Sequence, residues 1–203
     1  MHAMADETTP PQQPTQPSPY LGFGLILAGI VFIADQLSKY WVLEGLKFSP
    51  PGCLEAHIGC QKIEISGMFD LSMVWNYGVS FGLLRADGQI ERWGLVALSL
   101  TISAVFAWWL RSAVRPLSAW SLGLVIGGAL GNVIDRIRFG AVADFFDFSG
   151  PWFTLGSIPV GFPWVFNVAD AAITVGAGLL LLDFLLHGED APGPRSKAVE
   201  KPQ

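Results

Sequence analysis

Residues 117–134 read LSAWSLGLVIGGALGNVI, eighteen positions without a charge, and Asp135 and Arg136 follow at once. As a helix such a run covers about 27 Å, close to the ~30 Å hydrocarbon thickness of a bilayer. A segment of this kind crosses a membrane. Three more surround it in the chain. Residues 93–110 again run eighteen positions without a charge. Residues 20–43 are apolar through Ala34 and then turn polar with Asp35, Gln36, Ser38 and Lys39. Residues 165–187 carry Asp170 near their start and Asp183 near their end. The expected fold is therefore an all-α membrane protein of four transmembrane helices. A small extramembrane β element is expected between helices one and two, where Lys62-Ile63-Glu64-Ile65-Ser66 alternates at the period of a strand.

Composition agrees. Of 203 residues 51% are hydrophobic and only 14% charged, against about 25% charged in a soluble domain. Twelve scattered Lys and Arg and a net charge of -5 provide no basic stripe, so no nucleic-acid partner is expected. Two Cys and three well-separated His (2, 57, 187) suggest neither a disulfide scaffold nor a metal cluster. Glycine-rich phosphate loops and solenoid repeats are absent from the sequence. Residues 1–19, rich in Pro, Gln and Thr, are expected to be a disordered tail, and 188–203 a flexible one. The apolar run after residue 19 follows Asp6 and Glu7 with no Lys or Arg before it, unlike a cleavable leader, and is expected to stay. That leaves 20–187 as one membrane domain. Residues 145–164, rich in aromatics, Gly and Pro, read as an interfacial loop.

Parity sorts the polar residues. With four spans, the end of span one, the start of span two, the end of span three and the start of span four share one face. Asp35, Lys39, Asn76, Asn132, Asp135, Arg136, Asp144, Asn167 and Asp170 all fall there. Asn132, Asp135 and Arg136 stand at i, i+3, i+4, and Asn167 and Asp170 at i, i+3, so each set shares a helical stripe. Asp35–Lys39 as an interfacial ion pair and Asp135–Arg136 as a helix end at the headgroups are the plainer readings of those residues. Asp183 reads as interfacial, and Gly123, Gly127 and Gly131 as a close-packing helix face. Asp144 and Asp170 are different. Two carboxyl groups beside one bilayer face are costly unless used.

Four strings carry a resemblance: ADQLSK (34–39), VWNYGVSFGLL (74–84), GGALGNVIDRIRFGAVADFFDF (127–148) and FNVADAAITVG (166–176). In this order, around four spans, they resemble the motif blocks of lipoprotein signal peptidase, the bacterial signal peptidase II family of membrane aspartyl endopeptidases. The resemblance implies removal of the signal peptide from diacylglyceryl-modified prolipoproteins, with the cut just before the lipidated Cys. It implies a catalytic pair at Asp144 and Asp170. Asp35, Asn76, Asn132, Arg136 and Asn167 would be the supporting or substrate-binding residues. No metal or organic cofactor is implied. Prolipoproteins, membrane lipids and globomycin-type inhibitors are the implied partners. The implied setting is the bacterial inner (cytoplasmic) membrane, with both termini cytoplasmic and the site towards the periplasm. The short loop with Arg111 and Arg115 agrees by the positive-inside rule, although seven of the twelve Lys and Arg fall on the other side. The chain departs from the family in longer stretches between Lys39 and Asn76 and between Asp144 and Asn167.

Two close carboxyls sharing one proton suit peptide hydrolysis. The ionised member accepts a proton from water while the protonated one donates. Three other readings use the same residues: a transporter with intramembrane acids, a peptidase with Ser38 or Ser80 as nucleophile and Lys39 as base, and a structural subunit. Cys53 and Cys60, on the side read as oxidising, are expected to form a disulfide, with two free thiols the alternative.

Overall fold

The computed structural model describes residues 18–55, 59–78, 88–155 and 158–187. The two expected tails lie outside the described residues except for Ser18 and Pro19. Four helices are long and apolar enough to cross a membrane. They are α1 (Leu21–Tyr40, continued by a π-helical turn Trp41–Gly45), α2 (Gln89–Leu110), α3 (Pro116–Phe139) and α4 (Val168–His187). The four expected spans are all present.

The bundle is built around α3. In its membrane window 72% of residues are buried, against 22% in each of the others. Small residues make this possible. A Cβ at Gly123 would sit 2.7 Å from the Gly24 carbonyl oxygen of α1, and one at Gly131 would overlap the Asp35 carboxylate. Backbone-to-backbone approach of this kind is how helices associate where lipid removes the hydrophobic drive.

Both ends of α3 are written into the sequence. Pro116 stands in the first turn, where its missing N–H costs nothing. Gly140 ends the helix at φ 84° and donates its N–H to the Arg136 carbonyl at 3.1 Å. Arg92 of α2 adds a cation there, with Nε and Nη2 each 2.7 Å from the Arg136 and Ile137 carbonyls. The helix thus runs past Asp135 and Arg136 instead of stopping before them, and both side chains are buried.

The remaining chain corrects the all-α expectation. The protein is mostly helical but carries a four-stranded antiparallel sheet in the order β1-β2-β3-β6. β1 (Gln61–Glu64) and β2 (Asp70–Asn76) lie between α1 and α2 as expected; β3 (Val142–Asp147) and β6 (Val165–Phe166) lie between α3 and α4. A separate hairpin, β4 (Phe153–Leu155) with β5 (Ile158–Val160), fills the stretch read as an interfacial loop. The reason is burial. β3, sequence VADFFD, is covered on both faces and shows no apolar–polar alternation. Its partner β2 is also far away in sequence.

One face of the sheet packs a core of Leu71, Met73 and Trp75 from β2 with Ala143 and Phe145 from β3, against Val42 and Phe48. Alternation then turns Asp144 to the opposite face. A register shift between Leu71 and Val74 sets Val74 opposite Asp144 and Asn76 opposite Val142. Cys53 and Cys60 are joined in a disulfide, with Cα atoms 5.6 Å apart. The bridge ties the chain after α1 to the start of β1.

Candidate active site

Asp144, on β3, and Asp170, in the first turn of α4, meet at one end of the bundle through Asn167. The Asn167 side chain donates Nδ2–H to Asp144 Oδ1 at 2.6 Å. Its Oδ1 accepts the Asp170 backbone N–H at 2.9 Å, and its own N–H reaches Asp170 Oδ2 at 3.4 Å. The last two bonds form a reciprocal capping box, with Asn167 as N-cap and Asp170 three residues on. A single asparagine therefore starts α4 and touches both acids.

Two further amides complete the ring. Asn76, at the end of β2, donates to Asp144 Oδ2 at 3.0 Å, which the register shift allows. Asn132 of α3 donates to Asp170 Oδ1 at 2.9 Å and accepts from Asn167 Nδ2 at 3.2 Å. Asp144 is 2% exposed, and Asp170 is only partly covered. Burial pushes the Asp144 carboxyl well above its ordinary value, and the nearby Asp170 charge pushes the same way. Bonds from Asn76 and Asn167 oppose the shift without cancelling it.

Behind the amides lies a buried ion network. Lys39 Nζ sits 2.8 Å from Asp35 Oδ2, 2.8 Å from Asp135 Oδ2 and 3.1 Å from Asn132 Oδ1, which uses all three ammonium donors. Asp35 accepts the Ala169 N–H at 3.0 Å, and Asp135 accepts the Ala143 N–H at 3.2 Å. Neither bonds an acid of the pair directly. Arg136 donates Nη2–H to the Gly78 carbonyl at 2.8 Å, holding the chain just beyond Asn76.

All seven residues singled out from the sequence thus belong to one connected region. Asn76, Asn132 and Asn167 touch Asp144 or Asp170, while Asp35 and Arg136 act at one remove. Lys39 and Asp135 complete the network although the motif transfer did not include them among the site residues. The i, i+4 spacing gave Lys39 to Asp35, but its second bond spans α1 to α3, which no local spacing reveals. The plainer readings of Asp35–Lys39 and Asp135–Arg136 as headgroup residues do not fit, since all four are buried. Ser38 donates to the Asp35 carbonyl at 2.8 Å, and Lys39 spends its ammonium on Asp35 and Asp135, so these two do not make a nucleophile and base. Ser80 lies outside the described residues. At the other end of α4, Asp183 accepts from Ser118 Oγ at 2.6 Å and is buried among the helices, four residues before α4 ends at His187.

Four membrane-length helices enclosing two carboxylates and three amides at one end define a multi-pass membrane protein with a buried polar site at one face of its bundle. Residues 27–186 match the family described as signal peptidase (SPase) II. The chain belongs to that family, and is a peptidase of the membrane. It is 43% identical over 165 residues to the lipoprotein signal peptidase of Caulobacter vibrioides, covering 81% of this chain and 87% of the relative. With that of Rhizorhabdus wittichii the identity is 45% over 170 residues, covering 83% and 88%. Two solved structures, each described as a bacterial membrane enzyme, share the fold. One has a TM-score of 0.67 at 22% identity over 91% of this chain and 100% of its own. The other has 0.62 at 24% over 85% and 98%.

Proposed function

We propose that this chain removes the signal peptide from diacylglyceryl-modified prolipoproteins, cutting the peptide bond just before the lipidated Cys, and that Asp144 and Asp170 are its catalytic pair. The observation that carries the reading is Asn167, whose side chain bonds the Asp144 carboxyl and the Asp170 backbone N–H while its own backbone N–H reaches the Asp170 carboxyl. Relatives named lipoprotein signal peptidase, spanning most of the chain, support the substrate.

In this mechanism the pair shares one proton. The ionised carboxylate takes a proton from a water that attacks the scissile carbonyl, and the protonated carboxyl gives its proton to the carbonyl oxygen. The tetrahedral intermediate then collapses as a proton passes to the leaving amine of the lipidated Cys. Asn76, Asn132 and Asn167 hold the carboxyls in place. Asp35 and Arg136 support the elements that carry them. No metal or organic cofactor enters.

The substrate suits a site at the bilayer edge. Each buried CH₂ of the diacylglyceryl chains contributes about 0.8 kcal/mol, which keeps the lipidated Cys in the membrane and the cut site at headgroup depth. Residues 20–187 form the peptidase domain in this reading. It resides in the bacterial inner membrane with both termini cytoplasmic and the acids towards the periplasm, which the Arg111/Arg115 loop supports. Globomycin-type compounds would compete at the same site.

The test is cleavage of a purified diacylglyceryl-modified prolipoprotein by the purified protein, with and without globomycin. Release of the signal peptide with a new N-terminal lipidated Cys is expected, and globomycin should block it. Cleavage at any other bond would overturn the reading. A periplasmic reporter active when fused after Gln203 would overturn the topology.

A further inference from the structure

From Phe148 to Phe166 the chain runs nineteen residues without Asp, Glu, Lys or Arg and with six aromatics, on the extramembrane side of the bundle. This stretch contains the β4–β5 hairpin. A two-stranded hairpin buries little by itself and is marginal in water. Large apolar side chains on and beside it remain exposed: Trp152 is 48% exposed, Phe153 57%, Leu155 72%, and Trp164, just after it, 44%. Ile65 and Met68 of the neighbouring β1–β2 turn are 55% and 50% exposed. The two elements adjoin without a gap, for a Cβ at Gly150 would lie 2.9 Å from the Met68 Cα. The six side chains therefore form one patch.

Its base is fixed. The backbone N–H of Trp152 donates to the Val160 carbonyl at 2.8 Å and that of Phe162 to the Phe148 carbonyl at 2.9 Å. Trp164 is only four residues from Val168, where α4 enters the membrane window, so the chain can carry it at most about 14 Å from that point. Trp is the side chain that settles at the membrane–water interface, with its ring among acyl carbons and its N–H in the headgroups. Absence of charge removes the residues that would hold such a hairpin in water.

We propose that the β4–β5 hairpin, with the β1–β2 turn beside it, inserts into the headgroup–acyl boundary of the leaflet on the side of the acid pair. The occupant of the patch is the lipid surface already met by α1, α2 and α4, continued past the helix ends. The hairpin joins β3, which carries Asp144, to the start of α4, which carries Asp170. Seating it in lipid fixes the height of both acids above the bilayer. Where the hairpin lies does not depend on which bond the enzyme cuts.

Nitroxide labelling of Leu155→Cys, in full-length protein reconstituted into phosphatidylethanolamine–phosphatidylglycerol vesicles, tests it. Both native cysteines are tied in the disulfide and do not take the label. A label at Leu155 should be relaxed more by oxygen than by a water-soluble nickel chelate, as at Leu98→Cys on the lipid face of α2. A chelate response equal to that of Lys47→Cys would overturn the proposal, whether water or a protein partner then meets the patch. If Leu155→Cys does not fold, brominated phospholipids decide. Their quenching of tryptophan fluorescence should fall in the Trp152→Phe/Trp164→Phe protein, and an unchanged quenched fraction would overturn it.

Discussion

Asp35 and Asp135 do the same task for opposite members of the acid pair. Asp35 accepts the N–H of Ala169, one residue before Asp170, and Asp135 accepts the N–H of Ala143, one residue before Asp144. Lys39 lies between them, 2.8 Å from each. One ammonium on α1 therefore couples the backbone of β3 to the backbone of α4. The distance between the two acids is held from behind as well as by Asn167.

Removing Lys39 should act through this coupling. Lys39→Met leaves two buried carboxylates facing each other, and breaking a buried pair typically costs about 3–5 kcal/mol. Thermal unfolding in detergent should show that loss, together with lost activity. Lys39→Arg should rescue poorly, since a planar fork does not reproduce three diverging bonds. Full stability in Lys39→Met would disprove the coupling.

Asp144→Asn and Asp170→Asn should each lower cleavage by at least about 10²–10⁴-fold, the usual contribution of general acid–base catalysis. The double variant should lose little more, because the pair acts as a unit. Asp183→Asn is the control on the same helix. Its bond from Ser118 predicts some loss of stability, with cleavage within a few-fold of the parent. Dead Asp183→Asn beside active Asp170→Asn would place the chemistry at the wrong end of the bundle.

The Asp144 shift sets a sign. A carboxyl whose folded pKa is raised binds more protons folded than unfolded, so stability falls as pH rises from about 4 through the folded value. Asn carries no such penalty. Asp144→Asn should therefore be at least as heat-stable as the parent at pH 7 while failing to cut, and this difference should vanish near pH 4. Asp147 has the opposite sign. Burial raises it, but hydrogen bonds from Ser149 and Ser72 outweigh that and hold it at about 2. Its contribution is present above about 4 and lost as pH falls through about 2, so Asp147→Asn should flatten the acid end of the stability profile.

Glycine packing gives a paired test. Gly131→Ala drives a methyl into the Asp35 carboxylate, and overpacking of this kind costs about 1–3 kcal/mol. Gly22→Ala on α1 meets nothing within 4 Å and should be neutral or slightly stabilising. Equal unfolding temperatures for the two variants would contradict the packing.

The disulfide closes a separation of seven residues, for which chain entropy predicts about 2 kcal/mol. Cys53→Ser/Cys60→Ser should lose stability of that order and retain cleavage within a few-fold, since neither sulfur touches the acids. Alkylation without reduction should modify neither thiol in the parent.

Much of this was legible in the sequence because membranes impose simple arithmetic. Uncharged runs of eighteen residues mark the second and third spans, long apolar runs with few charges mark the first and fourth, and parity gathers Asp35, Asn76, Asn132, Asp144, Asn167 and Asp170 on one face. The rest is non-local. β3 looks like loop because Ala143, Asp144 and Phe145 are all buried, and only its pairing with β2, on the far side of two helices, makes it a strand. Lys39 bonding Asp135 and Asp35 bonding Ala169 join helices with no periodic signature across them. Helix α3 outran its expected end because Asp135 and Arg136 resemble headgroup residues until their buried partners are seen.

The central place of α3 also bears on how the protein is made. α1 and α2 both pack on α3, and β2 lies against a strand that follows it. During synthesis the first two spans enter the membrane before the surface they dock on exists. Asp35 and Lys39 enter it without Asp135, Asn132 and Ala169, which have yet to be translated. The ion pair of the amino-terminal half therefore gains its remaining partners only as the third and fourth spans arrive.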